Sequence, residues 1–357
     1  MGSAIIPAYV KDLGGSDALV GYVISVFYLI RGTFTILAGG ISDRIGRRRP
    51  VIVSLALFSI SQLLYSFCQK PWHVPLCIVV QAVAAGIYWP SILSYIADTS
   101  TPSSHAKNIS RFFVLVGLGG FLGSWTGGHM AEIYSPRVSY LLGCMAFSMP
   151  LIVSVCLAEE ARPRETVDKV TLRSLFSTSG PLFVLILLAS VSVIPRATFF
   201  VGYALRLGSL GGTYSIVGSV FGISMLIGLV ATALVPNWGR YIGFPKLILI
   251  SMSVCAFSAV GNGVATVLWM PYVLLPLLWG AVMTGEVSWI TYIQSESSAK
   301  AIGMTTGLLR GTMDLIALLY STIFGLLSNT LDIGTAFIFS ALGILIIFEV
   351  TRRYFRT

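Results

Sequence analysis

Gly39-Gly40-Ile41-Ser42-Asp43-Arg44-Ile45-Gly46-Arg47-Arg48-Arg49 is a burst of charge and glycine set between two long apolar runs. Four arginines in so short a loop mark one side of a membrane, because short cytoplasmic loops carry an excess of Lys and Arg. Composition points the same way. The 357 residues are 55% hydrophobic and 10% charged, with a mean hydropathy of +0.86, which leaves too few charges to cover a soluble globule of this size. The expected class is an all-α integral membrane protein. A spanning helix needs about 20 apolar residues, so the chain has room for about a dozen with short loops. The net charge of +9 is spread over loops between apolar runs instead of forming a stripe, so it reads as membrane topology and not as a nucleic-acid partner.

Working outward from the loop, apolar runs predict span 2 at about 18–42, span 3 at 51–68, span 4 at 74–97, span 5 at 112–131 and span 6 at 138–158. Residues 159–179 hold four acidic and four basic residues and read as a cytoplasmic linker between an N-terminal half, 1–158, and a C-terminal half, 180–357. The second half supplies spans 7 to 12 at about 181–204, 213–236, 246–268, 271–294, 301–327 and 333–350.

The halves repeat. A shift of 197 places Leu13, Gly14, Gly15, Val20, Gly21, Leu29, Ile30, Leu37 and Gly46 on Leu210, Gly211, Gly212, Val217, Gly218, Leu226, Ile227, Leu234 and Gly243. The four glycine matches weigh more than the aliphatic ones, which come cheaply in membrane helices. The same shift puts Pro181, where span 7 starts, about sixteen residues before Met1. The expectation is therefore that most of span 1 is missing and that Ile5 to Tyr9 is its outer end. Charge placement tests the topology separately. With the arginine loop and the C-terminus inside, 16 of the 23 Lys and Arg are cytoplasmic, Lys11, Lys70, Arg137 and Arg206 are outside, and Arg31, Arg196 and Arg310 lie in mid-span.

The loop also has a pattern. Gly39, Asp43, Arg44, Gly46, Arg47 and Arg48 resemble motif A of the major facilitator superfamily, and the resemblance extends over two six-span halves and a polar central linker. It implies two pseudo-symmetric six-helix bundles, here with about 11 complete spans and a remnant of the first. Gly119, Gly123, Gly127 and Gly128 in span 5 look like the family's antiporter motif C, although Ser124 stands where the family usually has proline, and small residues at this spacing also suit any close helix pair. Span 4 has no arginine near Ile78 to Gln81, where the family often has one. The second copy of motif A is degenerate, with Pro236, Arg240, Tyr241, Gly243 and Lys246 in its places. By the resemblance, Asp43 meets the helix start around Lys300 to Gly303, and Arg47 or Arg48 reaches Asp98 at the end of span 4, closing the inner side in one of two states.

Ionisable residues within spans are costly and so are candidate sites. They are Arg31, Arg196, Glu286, Arg310 and Asp314. Arg310 and Asp314 are four apart on one helix face and are expected to neutralise each other. Glu286 shares a helical stripe with Trp279, Met283 and Trp289; it either takes a proton or cationic solute or pairs with Arg196. Tyr88, Trp89, Phe199, Tyr203, Trp279 and Trp289 are candidate cavity aromatics, with packing the competing explanation. The five cysteines read as small hydrophobes; Cys68 and Cys77 lie near the outer face, and spacing alone does not fix a pairing.

No nucleophile with its base, no metal-ligand cluster and no phosphate-binding loop stands out, so neither an enzyme nor a cofactor is expected. Three functions stay open. One is proton-coupled efflux of a small organic solute, the favoured one. The others are uptake of a sugar, organic acid or other nutrient, and a non-transporting or truncated membrane protein. The expected setting is the lipid bilayer of the cell membrane, as a monomer, with small-molecule substrate and protons as partners.

Overall fold

The computed structural model describes residues 4–100, 105–157, 180–296 and 302–356; side chains at 36–45, 97, 105–107, 109–110, 157, 180–181 and 302–307 are not among what it describes. The linker at 159–179 and the Lys300 end of span 11 lie outside the described residues.

The described chain is helical. The first helices are α1 (Ile6–Asp12), α2 (Asp17–Ile45), α3 (Arg48–Ser66), α4 (His73–Thr99), α5 (His105–Ile133) and α6 (Pro136–Leu157). They are followed by α7 (Gly180–Val191), α8 (Ile194–Ser209), α9 (Tyr214–Ile242), α10 (Phe244–Gly263), α11 (Trp269–Glu296), α12 (Ile302–Thr330) and α13 (Ile333–Tyr354). Where a turn must hand the chain to a new helix, short polar side chains cap it. The Ser16 hydroxyl accepts from Leu19 N–H at 3.2 Å, and Asp332 accepts from Thr335 N–H at 2.9 Å.

Two compact units result. One is Met1–Lys169 with Tyr214–Gly222; the other is Val170–Thr213 with Ile223–Thr357. In the first, α2 packs on α4, and α3 lies against α4 and α6. In the second, α10 lies against α11 and α13, and α12 lies against α7 and α8.

The sequence repeat is written into the backbone. Adding 197 to α2, α5 and α6 lands on the bounds of α9, α12 and α13, and adding it to α1 lands on the last turns of α8. Among the described residues, the four glycines with positive φ are two repeat pairs, Gly14 (85°) with Gly211 (82°) and Gly46 (90°) with Gly243 (87°). Gly14 and Gly211 close their helices with the same hydrogen bonds. Gly14 N–H donates to Lys11 O at 2.9 Å and Gly15 N–H to Val10 O at 2.8 Å; Gly211 N–H donates to Gly208 O at 3.1 Å and Gly212 N–H to Leu207 O at 2.8 Å. That is the left-handed helix stop that glycine alone adopts without a Cβ penalty.

Among the described residues, ten helical stretches are long and apolar enough to cross a membrane. Helix α5 is not one of them although it has 29 residues, because glycine, serine, threonine and histidine fill its second half. Span 7 departs from the expected single helix. Leu182–Ser209 crosses as one apolar stretch, but α7 stops at Val191 and α8 restarts at Ile194. Pro195, at the start of α8, has no N–H to give to the preceding turn, and its ring crowds the carbonyl four residues back.

Candidate functional site

The break in span 7 sets Ser192, Val193, Pro195 and Arg196 at the wall of a narrow cleft with a cavity volume of about 20 Å³, which Ser251, Met252, Glu286, Trp289 and Met313 also line. Irregular backbone at membrane depth is tolerated where it borders a cavity, and discontinuous helices mark binding sites in transporters. At this cleft, Arg196 of α8 and Glu286 of α11 line the wall, and Arg310 of α12 joins them from outside the lining. Arg196 Nη1 lies 3.4 Å from Glu286 Oε2, and Arg310 Nη1 donates to Glu286 Oε1. The carboxylate thus has one guanidinium on each oxygen, and the two arms differ. The side chains of Arg196 and Glu286 are each 11% exposed, whereas that of Arg310 is 50% exposed. Arg196 is held as part of the core; Arg310 reaches in from the open side.

One expectation is extended here and one is corrected. Beyond any pairing along its own helix, Arg310 donates across to Glu286 of α11. An exposed pair along one helix gains only about 0.2–0.5 kcal/mol, whereas a largely desolvated carboxylate demands a charged partner. Of the candidate aromatics, Trp289 lines the cleft, but Phe199, Tyr203 and Trp279 do not. They are buried and pack on one another. Phe199 stacks on Tyr203 at 5.4 Å and meets Trp279 at 4.7 Å. The Trp279 ring fills the space that the missing side chain of Gly228 leaves on α9. Packing, the competing explanation, describes these three.

In the N-terminal unit, Arg47 Nε donates to Asp98 Oδ2 at 2.9 Å, with side chains 11% and 9% exposed. Arg48 turns away and donates to Val155 O at 2.5 Å at the end of α6. Of the two arginines expected to reach Asp98, Arg47 does so because it sits in the turn between α2 and α3, while Arg48 already belongs to α3. The backbones of Gly39, Asp43 and Arg44 are helical and Gly46 ends α2; the side chains of Asp43 and Arg44 lie outside the described residues. Arg31 lies over the rings of Phe27 and Tyr28, at 5.3 and 5.0 Å from their centroids. Tyr88 meets Phe58 edge-on at 5.9 Å, and Trp89 stacks on Phe113 at 6.3 Å. In the glycine motif, a Cβ on Gly128 would come within 2.8 Å of Gly218 Cα, so α5 and the first turns of α9 touch backbone to backbone. A Cβ on Gly119 would meet nothing.

Two features escaped the sequence reading, and a third, the approach of Cys68 to Cys77, was left open by it. The break before Arg196 could have been read from Pro195 alone. The other is a tyrosine–arginine correspondence. Tyr9 Oη donates to Tyr65 O at 3.2 Å and Cys68 O at 3.0 Å, tying α1 to the end of α3. Arg206, its repeat counterpart, donates from Nη2 to Gly263 O at 3.1 Å and Ala265 O at 2.6 Å, tying α8 to the end of α10. The side chains share no chemistry beyond a long reach and a donor, so no residue identity marks the correspondence.

The chain belongs to the major facilitator superfamily, whose sequence profile matches residues 1–321. It is similar to the quinolone resistance protein NorA of Staphylococcus aureus strain MRSA252, 27% identical over 162 residues. That match spans 45% of this chain and 42% of NorA. It is also similar to multidrug resistance protein 1 of Bacillus subtilis, 23% identical over 164 residues, covering 46% of this chain and 42% of that protein. The alignments thus span less than half the length of these relatives. In fold it resembles a mutant form of the nucleoside transporter NupG, with a TM-score of 0.86 at 12% identity over 99% of this chain and 96% of that one. It also resembles a bacterial homolog of the human lysosomal transporter Spinster in its inward-facing, unoccupied conformation, with a TM-score of 0.78 at 13% identity over 99% and 93%. It is a multi-pass membrane protein with a transporter fold.

Proposed function

We propose that this chain is a secondary active transporter that exports a small organic solute in exchange for protons. The observation that carries the reading is the Glu286 carboxylate held between Arg196 and Arg310 beside the broken span 7. A carboxylate with one fixed and one exposed cationic partner has two ways to be satisfied. With Arg310 in place it is doubly paired. With Arg310 withdrawn, it keeps Arg196 and has an oxygen open to a proton, while the released guanidinium is open to an acceptor on the solute. Such an exchange couples proton to solute without both occupying the same contact, and it biases one of two states. Similarity to the quinolone and multidrug resistance proteins supports export of amphipathic compounds.

In this reading the chain sits in the cell membrane as a monomer. Its halves, 1–158 and 180–357, are joined by a cytoplasmic linker at 159–179, and its C-terminus is inside. The Arg47–Asp98 pair, with Asp43, forms a latch on the cytoplasmic side that opens as the halves rock. The test is solute flux in proteoliposomes with and without an imposed proton gradient, for the parent chain and for Glu286→Gln. The reading expects flux that follows the gradient in the parent and loses that dependence in the variant. Gradient-driven flux that survives Glu286→Gln unchanged removes the coupling role. Accumulation in place of extrusion assigns the fold to uptake.

A further inference from the structure

Cys68 and Cys77 flank the turn between α3 and α4, and their sulfurs lie 3.5 Å apart. Both are buried, at 2% and 6% exposure, yet Phe67 beside Cys68 is 68% exposed and Gln69 and Lys70 are exposed as well, so only a thin layer separates the pair from the surface. Several contacts fix the two thiols toward each other. The Cys68 carbonyl holds the Tyr9 hydroxyl, which pins the end of α3, and the Cys68 thiol donates to Leu64 O at 3.7 Å. That leaves a sulfur lone pair for the Cys77 S–H. The other three cysteines are placed apart from this pair, on α6 and α10. In the second repeat the positions are Ala265 and Leu274, so the pair is a feature of the first unit only.

We propose that Cys68 and Cys77 are a redox-active pair that closes to an intramolecular disulfide. The Cys68 thiolate attacks one sulfur of an external disulfide and expels the first thiol. Cys77, losing its proton, then attacks Cys68 Sγ in that mixed disulfide and expels the second. One Sγ–Sγ bond forms within the chain and one breaks in the oxidant. Two electrons leave the cysteines and two protons end on the released thiols. Cys68 lies in the turn beside the exposed Gln69 and Lys70, whereas Cys77 lies within α4, so Cys68 is the thiol placed to meet the oxidant. The turn lies at the sparsely charged end that the Lys and Arg distribution assigns to the outside of the cell, where disulfide oxidants persist and structural disulfides form. Closure fastens α3 to α4 directly under the Tyr9 contact.

The experiment takes the reduced, folded chain in detergent, adds excess 2-hydroxyethyl disulfide as the oxidant, quenches in acid and counts titratable thiols after denaturation. The expected product is a peptide link between Cys68 and Cys77 two hydrogens lighter than the reduced pair, with no hydroxyethyl adduct on either, a loss of at least two thiols from five, and recovery of all five on reduction. Cys68→Ser and, separately, Cys77→Ser abolish the link. Retention of all five thiols in the folded parent overturns the proposal, as does a link between other cysteines or a product that stops at the mixed disulfide. Since the parent chain carries the decisive readout, a variant that fails to fold does not blunt the test.

Discussion

Trp89 stacks on Phe113, ring centroids 6.3 Å apart and planes 16° apart, at the two positions that Glu286 and Arg310 occupy in the second repeat. The same pair of helices is joined in one unit by aromatic contact, α4 to α5, and in the other by an ion pair, α11 to α12. Backbone symmetry has been kept while the chemistry at the contact has diverged. An aromatic pair costs nothing to desolvate and adds about 0.5–1.5 kcal/mol beyond its burial, whereas the ion pair stands only with its hydrogen bonds intact.

That difference separates the two arginines on Glu286. Arg196→Met leaves a largely buried carboxylate without its core partner, a loss of about 3 kcal/mol, while Arg310→Met removes a half-exposed partner at about 1 kcal/mol or less. Thermal unfolding in detergent should show a clear drop for the first and a small one for the second, and both should lose gradient-dependent flux. Equal drops would count against a fixed and a releasable arm.

Asp98→Asn should behave as the loss of one member of a buried pair, destabilising by about 3–5 kcal/mol because Arg47 keeps its charge without a carboxylate. Exchanging the two, Arg47→Asp with Asp98→Arg, should recover part of that stability if the pair matters as a pair. A double exchange no better than the single variant would show that position, not pairing, sets the loss.

At the helix stops, Gly14→Ala and Gly211→Ala should each cost about 1–2 kcal/mol through the left-handed backbone alone, since a Cβ at either site would meet nothing within 4 Å. Gly119→Ala, on a helix with equally open space, should be neutral or slightly stabilising by removing helix-interior glycine. Melting temperatures of the three variants, measured side by side, separate backbone strain from packing.

The Tyr9 and Arg206 ties should differ in strength. Tyr9→Phe keeps the ring that packs on Tyr140 at 5.1 Å and removes only a neutral donor, so about 1 kcal/mol is expected. Arg206→Met withdraws a charged donor from Gly263 O and Ala265 O, and about 1.5–3 kcal/mol is expected. The order of the two melting-temperature shifts is the measurement that matters; a reversed order would mean that α1 depends on its tie more than α8 does.

Much of the fold was legible in the sequence. Apolar runs located the spans, and glycines at matching turns gave a register of 197 that holds through α2, α5, α6 and their partners. The family followed from the residues around Asp43. The site was only half legible. Charged residues inside apolar runs stood out because burying charge is costly, so Glu286, Arg196 and Arg310 could be named, and the pairing of Glu286 with Arg196 stood among the open readings. The reach of Arg310 across to Glu286 could not be read, since on a helix every polar residue has a candidate neighbour four places away.

What the sequence by itself determined is set by local physics. Those quantities are hydropathy, helix length, the positive φ that Gly14, Gly46, Gly211 and Gly243 permit, and the crowding that Pro195 imposes. What only the tertiary structure decided is which distant groups meet: Arg310 with Glu286, Arg47 rather than Arg48 with Asp98, Tyr9 with the carbonyl of Cys68, and one thiol with another. The physical reason is that a hydrogen bond or ion pair depends on distance and direction to within a few tenths of an ångström, and helix packing alone sets both.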